Sequence, residues 1–138
     1  MKEITKIMIN EFKIMKLGYD FMGYQVKRKE SLSFHHLVVP KKCCKEEGLG
    51  TGYLYWNGAI LVQNTSHNYL HIIEKIDRDI FEYITKEMID MNKIGKLEKE
   101  NLKKINKVLM YFEREHCTDR TKKGKYLIKE EYTRRKEL

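Results

Sequence analysis

The chain has 138 residues, 41% hydrophobic and 35% charged, which fits one globular domain with a modest core and excludes two independent ones. Lys and Arg number 28 against 20 Asp and Glu, a formal charge of +8, which favours a polyanionic partner and is silent on fold. Three cysteines, Cys43, Cys44 and Cys117, with no Cys-x-x-Cys pair, imply no disulfide framework or cysteine-ligated zinc knuckle and point to a reduced, cytoplasmic setting.

In chain order, residues 3–17 predict an amphipathic helix, with Ile4, Met8, Phe12 and Met15 on one face and Gly18 ending it. The segment Met1-Lys2-Glu3-Ile4 lacks the apolar core of a signal peptide, and no apolar run nears the roughly 18 residues of a membrane span. Residues 32–39 read as a strand stopped by Pro40. Residues 41–52 read as a loop. Its Gly48-Leu49-Gly50-Thr51-Gly52 lacks the ending and the strand-to-helix setting of a phosphate loop. Residues 53–63 predict a second strand, turned or bulged at Asn57-Gly58. Its Tyr53, Tyr55 and Trp56 are expected to pack between sheet and helix.

A long helix is expected from Thr65 or Ser66, either one its N-cap, to about residue 92. Tyr69, Ile73, Ile76, Ile80, Ile84, Met88 and Met91 form its apolar stripe. Another helix follows, with Leu102, Ile105, Leu109 and Phe112 at helical spacing. Residues 120–138 read as a basic helix or a frayed tail.

Four of the five histidines fall within 37 residues: His35, His36, His67 and His71. His35 and His36 are neighbours on a strand and point to opposite faces, so one can bind a metal while the other stays free. His67 and His71, four apart on a helix, share a face and can reach one ion. At 100° per residue His67, His71, Glu74 and Arg78 lie within about 60° of one another, away from the apolar stripe.

The order of these parts resembles the HNH endonucleases. Phe34-His35-His36-Leu37-Val38-Val39-Pro40 resembles their His-His-x-x-x-Pro opening, and Asn57-Gly58-Ala59-Ile60-Leu61 their central strand. Ser66-His67-Asn68-Tyr69-Leu70-His71 resembles their Cys-His-Asn-x-x-His helix start, with Ser for Cys. The likeness spans residues 32–75. It departs from the family in three ways. Asn57 stands ten residues before His67 where many members show nine, which keeps Asn64 as an alternative. The flanking cysteine pairs of many members are absent. The first position is His where Asp is commoner.

The resemblance implies an α+β fold in which a ββα-metal motif, a β-hairpin plus a helix, is surrounded by further helices. The expected layout is a single domain, 1–138, with an N-terminal helix and lead-in (1–31), a ββα-metal core (32–92) and C-terminal helices with a basic tail (96–138). The resemblance also implies His35, His67 and His71 as ligands of one divalent metal ion (Mg, Mn, Zn or Ni). His36 would be the general base, and Asn57 would orient the His36 imidazole. Histidine-rich coordination itself suits Zn, Ni, Co or Mn better than Mg.

DNA is then the expected partner, with RNA the alternative, and the reaction is phosphodiester hydrolysis by nicking or double-strand cleavage. The small size fits a phage or mobile-element setting. Lys41 and Lys42, and Arg120, Lys122, Lys123 and Lys125 further on, are the expected backbone contacts. The rival reading is a non-catalytic, metal-stabilised module on the same scaffold that binds DNA or a protein.

Overall fold

The computed structural model describes residues 1–116. The first helical segment is two pieces: α1 spans Glu3–Glu11 and α2 spans Ile14–Leu17. Between them Lys13 sits at φ 54°, a left-handed conformation that costs a non-glycine residue about 1–2 kcal/mol. Core burial accounts for the break. Phe12 and Ile14 are both buried, yet in one continuous helix residues two apart point about 200° from each other. Met15, expected on the buried face, is instead 41% exposed.

Strands β1 (Leu32–His36) and β2 (Gly58–Val62) pair antiparallel, Leu32 opposite Val62 and His36 opposite Gly58. Gly58 is required there, because a Cβ would collide with the Phe34 ring. Both strands are shorter than predicted. Beyond His36 the ladder is replaced by Asn57, whose backbone carbonyl takes the N–H of Leu37 and whose side chain takes those of Val38 and Val39. A 3-10 turn occupies Tyr55–Asn57. The segment predicted as a loop opens with a one-turn helix, α3 (Lys41–Cys44). Tyr53 and Tyr55 pack against the core, whereas Trp56 is 47% exposed and not the packing residue expected.

After β2 the chain makes a wide π-type turn, Gln63–His67, and enters α4 (Asn68–Ile76). Neither Thr65 nor Ser66 caps α4, because the Ser66 hydroxyl is used elsewhere. The predicted long helix stops at Ile76 and restarts as α5 (Arg78–Ile94). Asp77 makes the break: its backbone is extended and its carboxylate accepts from the N–H of Ile80, a strong N-cap. Ile76, placed in the apolar stripe by periodicity, is 47% exposed as a result. Helix α6 (Lys99–His116) buries Leu102, Ile105, Leu109 and Phe112, as the spacing predicts.

The sheet, α1, α4, α5 and α6 enclose one apolar core containing Phe12, Phe21, Ile60, Leu70, Ile84 and Phe112. The architecture is α+β. Among the described residues no helix is long and apolar enough to cross a membrane. The predicted basic tail, with Arg120, Lys122, Lys123 and Lys125, lies outside the described residues.

Candidate metal centre

Pairing of β1 with β2 brings the end of β1 beside the turn that leads into α4. His35 on β1 is 3% exposed and meets His67 and His71 there. Their ring centroids lie 5.0–5.4 Å apart. One ligand atom from each of the three falls within 4.8 Å of the others. These three residues could hold a metal ion.

The donor set fits a cation on three grounds. His71 Nδ1 lies 3.1 Å from Glu74 Oε1. A carboxylate only accepts, so Nδ1 carries a proton, and Nε2 is the nitrogen left to face an ion. The Ser33 hydroxyl donates to the Leu61 carbonyl at 3.2 Å and lies 2.7 Å from His67 Nδ1. With its proton given to that carbonyl, the hydroxyl can accept from Nδ1–H, the tautomer in which His67 keeps its Nε2 lone pair. That Nε2 lies 3.3 Å from His35 Nδ1. Two nitrogens bound tetrahedrally to zinc at about 2.05 Å would be about 3.4 Å apart. The other nitrogen of that ring, His35 Nε2, is buried with no hydrogen-bond partner among the described residues and is not the ligand atom that this spacing implies.

Burial, then the neighbouring imidazoles, holds the His35 pKa well below the usual histidine value. The same causes, in the same order, lower His67 to about 4. Both rings are therefore neutral at pH 7, the form that binds a metal. Three histidines leave a position for water or substrate, as catalytic zinc sites do and closed structural sites do not. Of the three, the His71 side chain reaches solvent, at 46% exposure.

His36 projects from the other face of β1, between the rings of Tyr53 and Phe34 at centroid distances of 4.8 and 5.1 Å. Its Nε2 lies 2.8 Å from the Thr51 carbonyl. A carbonyl only accepts, so Nε2 carries a proton and Nδ1 is the ring position left to exchange one. Asn57 does not hold this ring. It is fully buried, with Oδ1 accepting from Val38 and Val39 N–H (2.9 and 2.7 Å) and Nδ2 donating to the carbonyls of Val39 and Gly52 (3.1 Å each). Its work is to tie the start of the long loop to its end, which places Thr51 next to His36. Asn64, the alternative, is exposed.

His35, His36, His67 and His71 all line one cleft of about 730 Å³ between the hairpin loop and α5. Lys41 and Lys42, the expected backbone contacts, line it. Arg78 and Lys86 do so as well, and of these only Arg78 had been placed on the histidine face of the helix. His116 pairs with Asp77 at 2.8 Å, far in sequence from the other histidines. Ser33 and Thr51 were not legible as supports, since their contacts span 34 and 15 residues.

Asp20 also escaped the sequence reading. It is wholly buried, and Oδ1 accepts from Met22 and Tyr24 N–H. Its Oδ2 accepts from Val62 N–H and from the Ser66 hydroxyl, one residue before His67. Comparison with family models, curated proteins and solved structures finds no match for this chain.

Proposed function

We propose that this chain is a metal-dependent endonuclease of the HNH type, hydrolysing DNA phosphodiester bonds at the histidine centre. The observation that carries the reading is the three-imidazole cluster of His35, His67 and His71 with a fourth imidazole, His36, on the adjacent strand position in the same cleft. A purely structural metal site has no use for that fourth ring. A hydrolase does.

His35, His67 and His71 would hold the ion through neutral nitrogens. A bound divalent cation supplies Lewis acidity and relief of charge at the leaving oxygen. The protein's own part is proton transfer. The Thr51 carbonyl fixes the His36 tautomer so that Nδ1 can accept a proton from water. The water oxygen bonds to phosphorus as the bond to the leaving sugar oxygen breaks, and that oxygen takes a proton from solvent. Ser33 and Glu74 keep two ligand rings in the tautomer the ion needs.

The test is supercoiled plasmid incubated with the purified protein, with EDTA or with one added metal at a time. Cleavage is expected with a divalent metal and not with EDTA. His36→Ala should lower the rate by about 100-fold or more, while calorimetric metal affinity stays within about threefold. Undiminished cleavage by His36→Ala would remove the mechanism. Metal binding without any cleavage would favour the binding-module alternative.

A further inference from the structure

The two walls of the cleft differ in charge. On the α4–α5 side, Arg78 and Lys86 line the cleft together with Glu74 at the end of α4 and Glu82 on α5. Arg78 is already engaged, with Nη1 3.1 Å from Glu74 and Nε 3.4 Å from Glu82. Two cations and two carboxylates leave that wall without net charge. The hairpin-loop side carries Lys41 and Lys42, with no carboxylate among the lining residues there.

A third cation arrives from the start of α1: Lys2 Nζ sits 5.0 Å from the Tyr53 ring centre, and Lys41 Nζ sits 5.6 Å from the same centre. Among the described residues neither lysine forms an ion pair. Both are exposed. The Tyr53 ring also packs on His36 at 4.8 Å. Unneutralised positive charge is thus gathered through one aromatic ring beside the proposed base. A cation–π contact holds an exposed cation only weakly, so the lysines keep most of their capacity for an anion.

We infer that Lys2 and Lys41, which share the Tyr53 ring, and Lys42, which lines the same side of the cleft, form the track for the DNA phosphate backbone, and that the opposite, α4–α5 wall does not. The inference rests on the nuclease reading for the identity of the anion. It adds the direction of approach: the strand runs along the hairpin-loop side and presents its scissile phosphate to His36 from there. Such contacts fix register and carry no base information, so the track is sequence-independent.

The experiment is a salt titration of binding, with fluorescein-labelled duplex DNA, the full chain, and EDTA present so that nothing is cut. Each backbone contact contributes about 0.9 to the slope of log affinity against log salt. Lys2→Gln/Lys41→Gln should therefore lower the slope by about 1.8, while Arg78→Gln leaves it unchanged. With metal added, the lysine double variant should raise KM and leave kcat within about twofold. Both lysines are exposed, and matching circular dichroism would establish that the variants are folded.

An unchanged slope in the lysine double variant would overturn the inference, as would an equal loss in Arg78→Gln or failure of the parent to bind DNA. A reduced slope in a protein that never cleaves would sink the nuclease reading and leave the backbone track standing.

Discussion

Glu74 stands one turn beyond His71 and accepts from its Nδ1, while its other oxygen receives Arg78. A carboxylate in that place fixes ring orientation and makes the opposite nitrogen a better donor to a metal. Glu74→Ala should weaken zinc binding by about 10- to 100-fold, read by competition with a chromophoric chelator. Denaturant stability without metal should change by less than about 1 kcal/mol, because the ion pairs it loses are solvent-exposed. Equal affinity in the variant would mean that His71 needs no partner. At this scale the sequence was informative wherever identity alone carries chemistry. The four histidines and the position of Glu74 on their face could be read from spacing. The Asn57 role could not. An asparagine near a histidine suggests a bond between their side chains, and only coordinates reveal that Val38, Val39 and Gly52 claim all of its hydrogen-bonding capacity.

Between elements, the geometry of the centre depends on a joint that periodicity does not register. Asp20 lies in the turn after α2, far from the hairpin in sequence, yet it joins that turn to the end of β2 and to Ser66. Ser66 also takes the N–H of Val62 at 3.0 Å. The carboxylate is raised above the usual aspartate pKa by burial, against the pull of these donors. A buried hydroxyl bonded to such a group is worth about 1.5–3 kcal/mol.

Ser66→Ala should therefore cost about 2 kcal/mol in urea unfolding. It should also loosen His67, visible as weaker zinc binding at a temperature where the variant is fully folded. A stability loss with unaltered zinc affinity would make the joint structural only. Helix boundaries failed for a related reason. The stripe through Ile73, Ile76 and Ile80 fits one helix, but Asp77 offers a cap that ends it, and Ile76 is left outside. Likewise Phe12 and Ile14 both reach the core only because Lys13 leaves the helical region. The apolar pattern of α6, with no competing cap, was read without error.

For the whole molecule, the same burial that prepares the centre for a cation makes the metal-free fold sensitive to acid. Unfolded, His67 titrates near the ordinary histidine value of about 6.5; folded, burial and its neighbours hold it at about 4. Between those values the unfolded chain binds the extra proton, so stability falls as pH falls. Its contribution is fully present above about pH 6.5, declines through the interval and levels off below about pH 4. The shift corresponds to roughly 3 kcal/mol for His67, and His35, lowered by the same causes, adds loss in the same direction.

A bound cation opposes this, since it selects the neutral rings and adds about 2.7 kcal/mol at a hundredfold excess over Kd. The measurement is urea unfolding at pH steps from 7.5 to 4, with EDTA and with zinc. The EDTA curve should drop steeply below pH 6.5. The zinc curve should lie above it at neutral pH and converge on it as protons displace the metal. His67→Gln should flatten the EDTA curve by removing the titrating group. If parent and variant lose stability in parallel, His67 does not carry the acid sensitivity, and its ring is not held neutral by burial in solution.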